Sequence, residues 1–391
     1  MKTNSFSNLE VIVIPDRAGE IKSFLAMDVL DEAQKLQRAG QSIIRLEVGE
    51  PDFPTPQCVV DAVHEALDRG LTHYTSSMGM LELREEICRD YKESYGVQLD
   101  PDQVVVTEGT SPAMILVFGA LLDIGDRVLL SDPHYACYPN VVRFFGGVAD
   151  YFQVSESDGF LYDIEKMKQA LRPETKAVFI NSPSNPTGKV QEKAILEEIA
   201  GLGPYIISDE IYHGLCYGKK EHSILEFTDK AFVFNGFSKR YAMTGWRLGY
   251  AIMPKEFIVP IKKLQQNFFI CANAFVQYAG LRALREAKGD CEKMRQVYDQ
   301  RRHYIVPALR DAGFQIGYEP DGAYYVMVNA KKYSQNSLEF ADQILHQAGV
   351  ALTPGIDFGP SLEGYLRISY ANSIENLTEG VKRLKSFLAT L

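Results

Sequence analysis

Seven short apolar runs, spaced by segments of helical period, leave this chain few architectures. They are "VVVTEG" (104–109), "RVLLSD" (127–132), "ADYFQV" (149–154), "AVFINSP" (177–183), "YIISDE" (205–210), "AFVFNGF" (231–237) and "GYAIMP" (249–254). Their near-continuous apolar character marks strands buried on both faces, which is the condition of a parallel sheet covered by helices. Helix-like segments such as "SPAMILVFGALLDIG" and "QEKAILEEIAGLG" fall between them. The pattern predicts an α/β unit over residues 46–284, with a mostly parallel seven-stranded sheet sandwiched by helices.

A different pattern follows. Residues 273–314 carry a long helical period with a break expected near Gly289. After them come a strand in "GAYYVMVNA", a helix in "SLEFADQILHQAGV" and a strand in "GYLRISYA". A last helix is expected from Asn372, capped with Glu375, presenting Ile374, Leu377, Val381, Leu384 and Leu388 on one face. This reads as a smaller α+β unit over 285–391. The amphipathic segment "IKSFLAMDVLDEAQKLQRAG" is expected to join it, so that 1–45 forms an N-terminal arm and part of a discontinuous domain.

At 391 residues the chain exceeds one ordinary core, in keeping with two units. Its 41 Lys+Arg against 51 Asp+Glu, a formal net charge of -10, argue against a nucleic-acid surface. Six cysteines without CxxC or metal-like spacing read as reduced thiols, and no metal site is expected. The N-terminus does not read as a signal peptide, and no apolar run approaches the roughly 20 residues of a membrane span. A cytoplasmic protein with no membrane partner is the expectation.

Ligands of an open parallel sheet bind beyond the carboxyl ends of its strands. There the sequence offers Thr110 and Ser111 opening a helix, Asn185 in "SNPTG", Asp209 and Tyr212 in "DEIY", and Ser238 with Lys239 after "AFVFNGF". Arg247 follows eight residues later. Each has an ordinary reading as a helix cap, a turn residue or a solvated strand end. Together they complement one cofactor. Pyridoxal phosphate presents a phosphate for a helix N-terminus and an arginine, a ring nitrogen for a carboxylate, a ring oxygen for hydrogen-bond donors, and an aldehyde for a lysine amine.

The chain also resembles the class I/II pyridoxal-phosphate-dependent aminotransferases, the aspartate aminotransferase-like branch of fold type I. The resemblance runs through "LEVGEPDFPTP" (46–56), "HYTSSMGMLELREEI" (73–87), "SDPHYACYP" (131–139), "NSPSNPTG" (181–188), "SDEIY" (208–212), "SKRYAMTGWRLGY" (238–250), "PDGAYYV" (320–326) and "GYLRISYA" (364–371). It implies a transaminase that moves an amino group between a 2-amino acid and a 2-oxo acid by ping-pong chemistry. Lys239 would form the imine with pyridoxal 5'-phosphate and shuttle the proton. Asp209 would pair with the ring nitrogen, Tyr212 and Asn185 would bond the ring oxygen, and Tyr135 would stack on the ring. Thr110, Ser111, Ser238 and Arg247 would hold the phosphate. Tyr74 would reach the phosphate of the other subunit, implying a homodimer. Arg367, with Asn185 and the backbone at Gly49, would clamp the substrate carboxylate.

Two departures stand out. Gly236 occupies a place where many members carry a phosphate-binding serine, and Ser111 one where some bacterial aspartate enzymes carry lysine. The resemblance therefore points to a neutral or broad range of amino acids, with aspartate as an alternative. His134, beside Tyr135, reads as a packed or solvent-facing imidazole, with substrate contact as the other reading. A C–S β-lyase on the same fold is the competing enzyme. A nicotinamide dehydrogenase lacks its GxGxxG, since "GLGPY" precedes a strand. A DNA-binding fusion lacks room before the first family-like helix.

Overall fold

The computed structural model describes residues 16–391, so the part of the 1–45 expectation that falls on residues 1–15 lies outside it. All seven apolar runs form strands of one sheet: β1 (Val104–Thr107), β2 (Arg127–Asp132), β3 (Val148–Gln153), β4 (Thr175–Asn181), β5 (Tyr205–Asp209), β6 (Ala231–Gly236) and β7 (Gly249–Ile252). Their order is β1-β7-β6-β5-β4-β2-β3. Every residue of β1, β6 and β7 is buried, whereas in the edge strand β3 only Phe152 is. Two apolar layers cover the faces, one with Phe118, Phe179 and Phe234, the other with Val178, Val233 and Tyr250.

β7 is the exception to parallel pairing, running antiparallel to both β1 and β6. Its amino end therefore lies at the same edge as the carboxyl ends of its neighbours. The chain reaches that edge directly from β6 through residues 237–248, a short return that needs no crossover helix.

The N-terminal amphipathic segment forms α1 (Leu25–Arg38). Its Ala33 and Leu36 pack with Ile43, Leu345 and Ala351. Helix α2 (Thr110–Leu121) follows β1. The long helical pattern divides into α3 (Ala274–Glu286) and α4 (Lys288–Ala312), broken at Ala287. The break expected near Gly289 is present two residues before it, and Gly289 lies within the first turn of α4. Strand β8 (Tyr325–Asn329) pairs antiparallel with β9 (Tyr365–Ser369), which α5 (Ser337–Ala348) and α6 (Ile374–Leu388) accompany.

The start of α6 also differs from expectation. Ser373 is the N-cap, accepting from the Asn376 N–H at 3.2 Å, while Asn372 Oδ1 accepts from the Ser373 N–H at 2.8 Å. Ile374, the first residue of the helix, is 41% exposed, whereas Leu377, Val381, Leu384 and Leu388 are buried as the period requires.

Candidate active site

A cavity of about 250 Å³ opens at the carboxyl edge of the sheet. Its lining contains Gly49, Thr110, Ser111, Tyr135, Asn185, Asp209, Tyr212, Ser238, Lys239, Arg247 and Arg367. Those eleven come from separate strand ends, the N-terminal region and β9. Tyr74 stands apart: it is 82% exposed and outside this lining. Its loop is tied from within by the buried Gln277, which donates to Thr75 Oγ1 at 3.0 Å and to the Ala272 carbonyl at 2.8 Å.

At one end, α2 begins directly against the sheet. Three glycines make this approach possible. A Cβ on Gly249 would lie 2.8 Å from the Gly109 carbonyl carbon, and one on Gly236 would lie 2.9 Å from Gly249 Cα. A Cβ on Gly109, which has φ +101°, would meet Arg247 Nη2 at 2.6 Å. Arg247 itself adopts φ +53° and donates from Nη1 to the Thr244 carbonyl at 3.0 Å. The guanidinium thus lies against Gly109, directly before α2, in a cavity lining shared with Thr110, Ser111 and Ser238. Backbone donors, hydroxyls and a forked cation make an anion seat. The sequence departure at Gly236 has its cause here, because the paired backbone leaves a serine no room.

Lys239 projects from the return after β6, and its Nζ donates to the Gly49 carbonyl at 2.7 Å. Burial lowers its pKa from 10.5 to about 8; Glu50 opposes the shift, while the charges of Arg367 and Arg247 reinforce it. Opposite it, Asp209 at the end of β5 accepts from the Tyr138 hydroxyl at 2.7 Å and from the Ile211 N–H at 3.1 Å. Burial raises the Asp209 pKa, and those two donors and Lys239 pull the other way. An ionised carboxylate in this place favours a cationic partner.

Arg367 is 2% exposed and held on all sides. It donates to Asn185 Oδ1 at 2.8 Å, to the Glu47 carbonyl at 2.6 Å and to Thr353 Oγ1 at 3.2 Å. Its Cζ lies 4.4 Å from the Tyr325 ring centre and 4.8 Å from that of Phe358. Among the described residues its Nε has no partner, so a buried donor remains for a ligand. Tyr135 meets Phe24 edge-on, with ring centres 5.5 Å apart. His134 is buried instead, its ring stacked on Tyr151 and its Nδ1 3.1 Å from the Tyr135 carbonyl. Burial pushes its pKa down to about 4, so it stays neutral near pH 7.

Sequence reasoning assigned no role to Tyr138, Tyr325, Thr353 or Phe358. Tyr138 and Tyr325 lie in "SDPHYACYP" and "PDGAYYV", yet an aromatic residue in an apolar run carries no sign that its hydroxyl is used.

An anion seat, a lysine of lowered pKa and a buried arginine at one sheet edge define an enzyme that handles small carboxylates through an amine. The chain belongs to the family described as aminotransferase class I and II, which residues 41–384 match. It is 44% identical over 380 residues to the (5-formylfuran-3-yl)methyl phosphate transaminase of Methanocaldococcus jannaschii, covering 96% of this chain and 100% of that one. The crystal structure of aspartate aminotransferase from Thermus thermophilus with maleate superposes with a TM-score of 0.92 at 35% identity, covering 96% and 99% of the two chains. A Methanococcus jannaschii structure, described as similar in its active site to kynurenine aminotransferases, gives a TM-score of 0.89 at 43% identity, covering 96% and 100%. This chain is a transaminase acting between amino and oxo acids.

Proposed function

We propose that the transaminase uses pyridoxal 5'-phosphate bound in this cavity. The observation that carries the reading is Lys239, with its pKa lowered to about 8, placed among an anion seat, a buried carboxylate and a buried arginine. When bound, the cofactor supplies an aldehyde to capture the amino group and a ring to take up the electron pair left at Cα. Arg247, the first N–H groups of α2 and the hydroxyls of Thr110, Ser111 and Ser238 hold its phosphate. Asp209 holds the proton on its ring nitrogen, and Tyr212 and Asn185 face its ring oxygen. Tyr135 covers the ring.

Arg367 fixes the substrate carboxylate and so sets which Cα bond faces Lys239. Lys239 Nζ, neutral when free, takes the proton from Cα. Phe24, Met27 and Tyr135 form an apolar wall that supports an uncharged side chain as the preferred substrate. The enzyme works as a homodimer, with Tyr74 of each subunit reaching the partner's phosphate. The exposure of Tyr74 supports this. The large unit spans 46–284 and the smaller one joins 285–391 with the described part of 1–45, from residue 16 on, as the packing of α1 on Leu345 and Ala351 supports. Six free cysteines support a cytoplasmic setting. Among the described residues no helix is long and apolar enough to cross a membrane.

Single-turnover absorbance against a panel of amino acids tests this. Wild-type protein is expected to bleach its visible band with aliphatic or aromatic amino acids and to yield the 2-oxo acid. Lys239→Ala is expected to yield none within the same time. Near wild-type turnover in that variant would end the assignment; pyruvate and thiol from cystathionine without an oxo acid would move it to a β-lyase.

A further inference from the structure

Tyr325 is buried at the centre of the site and is not yet assigned a role. On β8 it pairs with Ser369, and Met327 pairs with Arg367, so Tyr325 and Arg367 are diagonal neighbours on one sheet face. Its hydroxyl lies 2.7 Å from that of Tyr212. It occupies the space a side chain on Gly49 would need, since a Cβ there would sit 1.5 Å from the Tyr325 hydroxyl. The Arg367 guanidinium carbon stands 4.4 Å from the Tyr325 ring centre, within range for attraction between a cation and an aromatic face.

The geometry points to Tyr325 as a positioning residue for transamination: its hydroxyl aims the Tyr212 proton into the cavity, and its ring seats Arg367. This rests on Tyr212 facing the cofactor's ring oxygen. Each phenol has one proton and lone pairs that accept. Between two buried hydroxyls 2.7 Å apart, one donates to the other. If Tyr212 donated to Tyr325, it would turn lone pairs towards the ring oxygen and repel its negative charge. If Tyr325 donates, the Tyr212 proton is free for that oxygen, and the hydrogen bond it receives makes it a stronger donor. An anionic ring oxygen selects the second order. One side chain thus links the group that tunes the cofactor to the group that orients the substrate.

The test is a pH titration of the visible band of the cofactor-loaded protein in wild type, Tyr212→Phe, Tyr325→Phe and the double variant. Losing the donor leaves more charge on the ring oxygen, which holds the neighbouring proton more tightly, so midpoints rise. Tyr325→Phe is expected to raise the midpoint by roughly half to one pH unit, the size of one hydrogen bond. Its effect is expected to vanish in the Tyr212→Phe background. A shift in Tyr212→Phe but none in Tyr325→Phe overturns the proposal and leaves the assignment of Tyr212 standing. An undiminished Tyr325→Phe shift in the double variant overturns the route through Tyr212. No shift in either single variant removes the assignment of Tyr212 and the proposal together.

The ring's role has its own readout. Tyr325→Phe keeps the aromatic face and is expected to hold KM for the amino acid within about twofold, whereas Tyr325→Leu is expected to raise it about tenfold. Equal KM values in the two variants overturn the seating of Arg367.

Discussion

Among single residues, Lys239 carries the most, and its neighbours decide how it behaves. Its amine is desolvated and near two guanidinium groups, so the neutral form is already populated close to pH 8. Only a neutral amine attacks an aldehyde. The rate at which cofactor-free protein captures pyridoxal phosphate is therefore expected to climb through about pH 8 and level off above it, instead of rising on towards 10.5. Stopped-flow absorbance measures this, and a midpoint above pH 10 would contradict the lowered pKa. The lysine was legible in the sequence because an apolar strand leads straight to it. Tyr138 and Tyr325 were not, since a phenol among apolar residues reads as core until its hydroxyl is seen on Asp209 or Tyr212.

At the level of elements, the seven strands were readable because each is an apolar run too short for a helix. The reversed direction of β7 was not. It depends on the return through 237–248, where Ala242 and Arg247 both adopt positive φ, at 50° and 53°. No residue type there announces that conformation. Nor could the pattern show that Ala287 and not Gly289 ends α3, because helix ends are set within one or two residues by capping. The pairing of β6 with β7 brings a prediction. Gly236→Ser, which adds the hydroxyl the family resemblance led one to expect, is expected to lower unfolding stability by about 1–3 kcal/mol through overpacking. It is expected to bring no gain in cofactor affinity. Denaturant midpoints and cofactor titration measure both, and a variant of unchanged stability that binds more tightly would refute the close approach seen here.

For the whole molecule, the exposed Tyr74 gives a test of assembly. In the proposed two-fold dimer with Tyr74 donated across its axis, a subunit lacking Lys239 and one lacking Tyr74 make a pair with one intact site and one doubly defective site. After random reassortment of Lys239→Ala with Tyr74→Ala, half the dimers are mixed, so recovered activity is expected to approach about a quarter of wild type. Sites built within one chain would recover none beyond the mean of the two variants.

The stacked glycines beneath the anion seat carry a further consequence, for how such a site can change. Gly236 and Gly249 face each other on β6 and β7, and Gly109 lies far from both in sequence; a Cβ on Gly236 would meet Gly249, one on Gly249 would meet Gly109, and one on Gly109 would meet the Arg247 guanidinium. None of them can be substituted while the neighbouring backbone and Arg247 stay in place. The backbone of the seat is therefore frozen as a unit, and adaptation to a different anion is left to the side chains around it, at Thr110, Ser111 and Ser238. A library that varies those three positions will sample binding, whereas one that varies the glycines will sample mostly unfolding.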